Sequence, residues 1–424
     1  MPDRTHRPRP SRRLVLAGFT GLATATVSRG AAGQGATAPA ANGEIRLGAL
    51  YPLSGSLSLL GDESLRGLEI AVEERNTAGG GLLSRPVRLL KGDATDGGQA
   101  MGEARRLTGA ERAVALFGTF STALSFAATQ VAEMQRIPYF ELGAIGDPLT
   151  ERGFRTLFRT CPRASDFARE AVNTVPETLA LAWGAAPAAI RVAILHEDGM
   201  YGQSVSASQE ALLGARGLRL VEKIGYTARG AELAAAVHRL KSAGTEVVLH
   251  TGFGNDIVVF YRAMREASWR PRMVIGSGAG YSGVDTMRAV GPDFDGTMNV
   301  DFTQFEVNER MAPGVRQFAD AYRRRYGSEP RSGHSLANYA GARICLDAMQ
   351  RAGAVEADKV RAAMLATDLP EGATASGWGV RFDERGQNTR ARPFVLQWQS
   401  GRQVTVSPAD AAVAPVRAQF GPAG

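Results

Sequence analysis

From Ile45 onward the chain repeats one unit: a short apolar run, a Gly-rich loop, then an amphipathic stretch. Ile45–Leu50 reads as a buried strand, since an apolar run of about 4–8 residues bounded by turn signals fits a strand covered on both faces. Glu63–Asn76 reads as a helix. Leu65, Leu68, Ala71 and Val72 fall on one side of it, and Gly79-Gly80-Gly81 stops it. Further strands are expected at Val87–Gly92, Val114–Gly118, Pro138–Leu142 and Leu157–Thr160, with helices between most of them. Strands alternating with helices imply a parallel sheet covered on both faces.

The pattern then restarts. Helices are expected at Asp166–Ala182, Gln203–Gly214, Glu232–Ala243, Asp256–Ala267 and, short, near Val284–Val290. Strands are expected at Arg191–His196, Leu218–Tyr226, Glu246–Thr251, Arg272–Gly276 and Thr297–Phe302. A helical stretch follows at Val315–Tyr326, Ser335–Ala352 and Ala357–Ala366. Late strands are expected at Val380–Phe382, Phe394–Gln399 and Gln403–Ser407. The fold class is therefore α/β, with two halves in close contact and a tail that returns to them. No internal sequence repeat is present.

At 424 residues the chain is long for one core and comfortable for two. The formal charge of +7 raises the possibility of a nucleic-acid partner, but six Arg and one Asp within residues 1–36 account for +5 of it. The body of the chain carries about +2, too little for a basic binding face. Arg323-Arg324-Arg325 ends an expected helix, where cations complement the helix dipole. Two Cys, Cys161 and Cys345, make neither a disulfide framework nor a Cys-rich metal site.

Residues 1–40 read as an export signal and spacer. Ser11-Arg12-Arg13-Leu14-Val15-Leu16 resembles a twin-arginine address, and Leu14–Val27 is too short and too rich in Gly and Thr to span a bilayer. No Cys lies near the cleavage region, which excludes a bacterial lipoprotein anchor. The mature product is expected outside the cytoplasm, without stable membrane insertion.

In open parallel sheets, ligands bind beyond the carboxyl ends of the strands. The loops there are Pro52–Gly55, Gly118–Thr122, Gly143–Asp147, Glu197–Gly202, Gly252–Asn255 and Gly276–Tyr281. They are rich in Gly, hydroxyls and aromatics, which offer backbone N–H groups, helix N-termini and apolar walls. Each alone is also what an ordinary turn requires. Catalytic signatures are scarce. The five His show no metal-ligand spacing, and neither a Gly-x-Ser-x-Gly elbow nor a P-loop occurs. One motif competes: Gly278-Ala279-Gly280-Tyr281-Ser282-Gly283 fits a dinucleotide fingerprint, with Asp301 near the end of the next strand. A secreted nicotinamide-dependent oxidoreductase is the alternative it supports.

Leu50-Tyr51-Pro52-Leu53-Ser54-Gly55, then Leu60-Gly61, Arg66–Ala71 and Asn76 with Gly79-Gly80, resembles the opening of the leucine/isoleucine/valine-type periplasmic binding proteins of ABC transporters. So do Gly118–Thr122, Pro148-Leu149-Thr150 with Phe158-Arg159-Thr160, Tyr201-Gly202, and Phe382-Asp383 with Gly386. The resemblance covers residues 44 to 407. It implies the type I fold: two doubly wound parallel-sheet lobes joined by three crossovers. On this reading lobe 1 takes 44–160 plus 302–380, lobe 2 takes 161–301 plus 381–407, and 408–424 is a C-terminal tail. It implies a monomer with no cofactor and no catalysis, which closes on a small organic ligand and delivers it to an ABC permease. A sensory role uses the same fold.

Carried over by position, Ser121 and Thr122 would bond a ligand carboxylate, together with backbone groups at Ala144 and Gly146. Tyr201 would close the pocket from lobe 2, with Phe253 or Gly254 lining it, and Gly278 and Leu60 are counted among the ligand-binding positions. The sequence departs from the amino-acid-binding pattern twice. Relatives that bind α-amino acids carry a carboxylate for the ammonium in the loop here occupied by Ser277-Gly278-Ala279, and Leu60 replaces a frequent aromatic. A buried ammonium without a counter-charge is costly. A carboxylate, aromatic acid or amide therefore competes with a branched-chain amino acid as ligand. Asp301 and Glu141 are the candidates to replace the missing charge.

Overall fold

The computed structural model describes residues 43–227 and 231–421, and Gly43–Gly424 forms one compact unit. The twin-arginine motif and the expected signal segment lie outside the described residues. The first sheet holds five parallel strands: β1 (Ile45–Tyr51), β2 (Val87–Asp93), β3 (Ala115–Gly118), β4 (Tyr139–Glu141) and β5 (Leu157–Arg159), in the order β2-β1-β3-β4-β5. All residues of β3 are buried, as a strand covered on both faces requires.

The second sheet is built on β6 (Arg191–Glu197), β7 (Arg219–Tyr226), β8 (Val247–Thr251), β9 (Met273–Ser277) and β10 (Met298–Asp301), all parallel. The short pair β11 (Asp368–Leu369) and β12 (Val380–Arg381) stands apart from both sheets. β13 (Phe394–Gln399) and β14 (Arg402–Ser407) extend the second sheet to the order β14-β13-β10-β9-β8-β6-β7. β13 pairs antiparallel with both β10 and β14. Between β13 and β14 the cause is local. Ser400 and Gly401 both have φ near the left-handed region, at 53° and 78°, so the chain reverses in a tight turn where a parallel connection would need a long crossover.

Twelve α-helices are described. In the first half they are α1 (Ser58–Ala78), α2 (Gly97–Arg105), α3 (Thr122–Gln135), α4 (Ala164–Thr174), α5 (Ala180–Trp183) and α6 (Met200–Ala215). The second half carries α7 (Ala231–Ser242), α8 (Gly254–Glu266), α9 (Val284–Val290), α10 (Val315–Tyr326), α11 (Gly333–Ala352) and α12 (Ala357–Leu365). The single helix expected over Asp166–Ala182 is interrupted by a wider turn at Val175–Leu179. Pro176 supplies no N–H there, so the regular ladder cannot continue. α1 lies so close to α11 that a Cβ on Gly67 would stand 1.9 Å from the carbonyl oxygen of Ser335.

Apolar cores cover the first sheet on both faces and the second sheet as well, and the chain passes between the sheets near residues 158–161, 302–307 and 382–391. Phe158, Val307 and Phe382 belong to the first core; Cys161, Phe302 and Ala391 belong to the second. Arg159, fully buried at the first passage, ties it to the third. Its guanidinium donates to Gln387 Oε1 at 2.6 Å, to the Gly146 carbonyl at 2.6 Å and to Thr150 Oγ1 at 3.1 Å. A buried cation without such acceptors would be costly. Cys161 and Cys345 are buried free thiols.

Candidate functional site

Loops from both sheets meet around one small cavity. From the first sheet, Phe120 and Thr122 follow β3, and Gly143 and Ile145 follow β4. From the second, Tyr201 opens α6 after β6, Phe253 follows β8, Gly278 and Ala279 follow β9, and Asp301 ends β10. Phe302, Phe167 of α4 and His334 of α11 complete the wall. The space a water centre can visit is about 30 Å³, enough for one or two waters. Phe253 and Ala279 also border a second chamber of about 220 Å³, lined by Leu57, Leu60, Gly254 and Val258 and rimmed by Arg331. The cleft therefore has a narrow inner part and a wider apolar mouth.

The nine residues assigned from sequence divide three ways. Thr122, Tyr201, Phe253 and Gly278 border the inner cavity; Leu60, Gly254 and again Phe253 border the outer chamber. Ser121, Ala144 and Gly146 border neither, and their hydrogen bonds explain why. The Ala144 N–H donates to Glu141 Oε1 at 2.7 Å, and the Gly146 N–H donates to Thr122 Oγ1 at 3.2 Å. Both carbonyls accept from Arg159. Ser121 caps α3 by position, but its side chain makes no capping bond. The first N–H groups of α3 thus keep no side-chain acceptor, and such groups favour an anionic or carbonyl oxygen. With Thr122 Oγ1 already accepting, its hydroxyl proton is left to donate.

The two candidate counter-charges behave differently. Glu141 is fully buried but turned into its own lobe, where it accepts the N–H groups of Thr119, Phe120, Gly143 and Ala144 and the hydroxyl of Ser125. It holds the β3 and β4 loops in register and does not reach the cavity. Asp301 does. Its Oδ2 accepts from Ser282 Oγ and from Asn299 Nδ2 at 3.0 Å, while Oδ1 accepts the Phe302 N–H at 2.7 Å. Burial raises its pKa to about 7, against those stabilising bonds. Tyr201 donates its hydroxyl to the Ser277 carbonyl and packs its ring 5.5 Å from Phe253. His334 is buried beside Phe120 and Phe302, and burial lowers its pKa to about 4, so it is neutral at pH 7.

Phe120, Phe167, Phe302 and His334 were not singled out from sequence. Phe120 lay inside the Gly118–Thr122 motif, and Phe302 followed Asp301, so position could have flagged both. Phe167 and His334 begin helices, where an aromatic or a lone His reads as core.

The geometry does not favour the dinucleotide reading of Gly278–Gly283. The Gly278 N–H is spent on Asn299 Oδ1 at 2.8 Å, and those of Tyr281 and Ser282 on Gly278 and Ala279 carbonyls. Asp301 bonds Ser282 within the same motif. The glycines serve close packing instead: a Cβ on Gly280 would stand 2.5 Å from Gly254 N.

Two α/β lobes joined by three crossovers, with a cavity at the carboxyl ends of both sheets, define a two-lobed ligand-binding protein of the type I fold. The family model described as periplasmic binding protein matches residues 44–404. The chain is 45% identical over 379 residues to Leu/Ile/Val-binding protein homolog 8 of Brucella abortus (strain 2308), covering 89% of this chain and 94% of that one. It is 44% identical to homolog 7 of Brucella suis biovar 1 (strain 1330), covering 90% and 96%. Among solved structures, the branched-chain amino acid substrate-binding protein LivJ of Streptococcus pneumoniae in complex with isoleucine superposes with a TM-score of 0.74 at 20% identity, over 86% of this chain and 100% of that one. A solute-binding protein from R. palustris in complex with benzoate gives 0.72 at 21% identity, over 88% and 98%. The chain belongs to the periplasmic binding protein family, to which its similarity to the Leu/Ile/Val-binding protein homologs also points.

Proposed function

We propose that this protein captures one small organic molecule between its lobes in the periplasm and passes it, unchanged, to an ABC permease. The observation that carries this is the inner cavity itself. Residues that follow strands of both sheets border it, so a ligand there touches both lobes and favours the form in which they meet. The polar ends of the site suit a ligand oxygen at the α3 N-terminus, and the aromatic walls suit an apolar body. A branched-chain amino acid, or a related carboxylate, aromatic acid or amide, has these features. The relatives with isoleucine and with benzoate support that range.

The protein works as a monomer on this reading, exported through the Arg12-Arg13 address and not lipid-anchored. No described helix is long and apolar enough to cross a membrane. The test is to saturate the purified protein with a ligand found by titration, incubate for a day and analyse the released molecule. Recovery of one unaltered ligand per chain is expected. A chemically altered ligand, or a tightly held nicotinamide nucleotide, would overturn the reading.

A further inference from the structure

Behind the second-sheet wall of the cleft lies a buried chain of hydrogen bonds that touches no ligand space. His250, fully buried near the end of β8, engages both ring nitrogens: Nε2 lies 2.9 Å from Tyr226 Oη, and Nδ1 lies 2.6 Å from Tyr281 Oη. Tyr226 ends β7 and Tyr281 lies in the turn after β9, so one imidazole ties three strand ends together. The chain continues on both sides. Tyr226 bonds the carboxylate of Asp256, which accepts the Phe253 N–H at 2.9 Å and so caps α8. The Tyr281 carbonyl accepts from Trp398 Nε1 at 3.0 Å, and the Tyr281 ring stacks on Phe294. His250, Tyr226, Asp256 and Tyr281 border neither chamber; the residues they hold, Phe253, Gly278 and Ala279, do.

The chain has one self-consistent direction. A neutral imidazole has one N–H and one acceptor nitrogen. Tyr226 Oη stands beside two acceptors, the Asp256 carboxylate and the Thr251 carbonyl at 3.5 Å, so its proton goes to them and its oxygen receives the Nε2–H of His250. Nδ1 is then the acceptor for the Tyr281 hydroxyl. The reverse order would leave that hydroxyl proton without an acceptor among the described residues, and an unmade buried hydrogen bond is costly. The titratable groups around His250 are Tyr226, Tyr281 and Asp256, with His196 of β6 close enough to oppose a second positive charge; burial lowers the His250 pKa to about 3, so the ring stays neutral. Packing leaves little slack. A Cβ on Gly252 would strike Tyr226 Oη and lie 3.2 Å from His250 Nε2 and 3.4 Å from Asp256 Oδ2, and a Cβ on Gly276 would strike the Tyr281 ring.

Resting on the reading of the cleft as the ligand site, we propose that His250 is a positioning residue: as the Nε2–H tautomer it fixes the Phe253 turn against the Gly278–Ala279 turn, and so sets the shape of the second-sheet wall that a ligand meets. The two turns approach closely, since a Cβ on Gly280 would stand 2.5 Å from Gly254 N. The bonds running from Asp256 through Tyr226 and His250 to Tyr281 fix that approach from beneath. Loss of one link lets Phe253 and Ala279 shift, which weakens binding although no ligand contact has been removed.

Two measurements test this. In the ligand-free protein with nitrogen-labelled histidines, the magnetic-resonance signals of His250, assigned by their absence from His250→Gln, are expected to report the neutral Nε2–H tautomer from pH 8 to pH 5. Titration within that range, or the Nδ1–H tautomer, overturns the inference. Calorimetric titration with L-leucine, L-isoleucine, benzoate and benzamide then compares variants. For a probe that the wild type binds, His250→Leu is expected to lose at least tenfold in affinity and Tyr281→Phe at least threefold. His250→Gln, which keeps a donor toward Tyr226, is expected to lose less than His250→Leu. Tyr261→Phe is the control: it removes an equally buried hydroxyl in the same core, 2.6 Å from Thr297 Oγ1. Its melting temperature is expected to fall as far as that of Tyr281→Phe while its affinity stays that of the wild type. Wild-type affinity in Tyr281→Phe, or an equal loss in Tyr261→Phe, overturns the inference and leaves the binding-protein reading intact. The tautomer and Tyr281→Phe readouts keep the inference open to refutation where His250→Leu folds poorly. Failure of every probe with the wild type overturns both.

Discussion

At the residue scale, what decides function is which polar atoms remain free. Thr122 Oγ1 accepts from Gly146, so its proton can be donated inward, whereas Ala144 and Gly146 have no N–H left to give. Sequence position pointed to all of them, because the Gly118–Thr122 and Gly143–Asp147 motifs are legible. Which member of a motif keeps an open hydrogen bond is set by distant partners such as Arg159 and Glu141, and no local pattern reports that. Asp301 and Glu141 were equivalent candidates for the same reason. Thr122→Ala is expected to weaken ligand binding by ~0.5–1.5 kcal/mol, or by ~1.5–3 kcal/mol if its partner on the ligand is charged, as read by calorimetric titration. Asp301 also predicts a stability signature. Its pKa in the folded protein, about 7, lies above the ordinary carboxylate value of 3.8, so the folded state binds the proton more tightly. Its contribution is favourable to folding at low pH and is lost as pH rises from about 4 through 7. Melting of the ligand-free protein between pH 5 and pH 8 should show this loss, and Asp301→Asn should flatten the slope over that window.

At the element scale, the strands were legible and the joints were not. Continuous apolar runs place β1, β3, β8 and β9 within a residue or two, because a strand buried on both faces has no competing pattern. α1 begins five residues before its expected start. Its N-terminus borders the outer chamber, which Leu57 and Leu60 line, so their apolar side chains do not follow the amphipathic pattern of the rest of the helix. The α8 N-terminus is fixed by close approach of two loops. Gly280→Ala would press a methyl group against the Phe253–Gly254 backbone. It should cost ~1–3 kcal/mol of stability through overpacking and weaken binding by displacing Phe253, measured by melting and titration together. The C-terminal segment carries no strong pattern, yet it straps the molecule. Ala411 packs in the first core and Phe420 in the second, and the Ala418 carbonyl accepts from Trp183 Nε1 at 2.8 Å. Phe420→Ala is expected to destabilise by ~3 kcal/mol or somewhat less, since the side chain is buried at the edge of the core beside Tyr261. Chemical denaturation would check it.

At the scale of the whole molecule, the proposed function requires the lobes to change their angle about the three passages of the chain between the two sheets, with the packing inside each lobe kept and the contacts across the cleft made and broken. The α/β alternation in the sequence showed the two halves, and the resemblance of its short motifs implied how the chain crosses between them. Neither showed how small the inner cavity is, since that depends on the aromatic rings of Phe167, Phe302, Tyr201 and Phe253 meeting from separate segments. Export adds a prediction at this scale: changing Arg12 and Arg13 together to Lys should leave the precursor in the cytoplasm, as judged by fractionation. Unimpaired export would assign the chain to the general secretory route.

The central claim, a ligand held between the lobes by Thr122 on one side and Tyr201 on the other, is tested most directly by thermal melting of the purified exported protein against amino acids, aromatic acids and amides. A ligand at a hundredfold excess over its Kd should stabilise the folded state by ~2.7 kcal/mol. That gain should largely disappear in a Thr122→Ala, Tyr201→Ala double variant that is still folded. A gain of the same size in the double variant, or no gain from any compound in the wild-type protein, would contradict it.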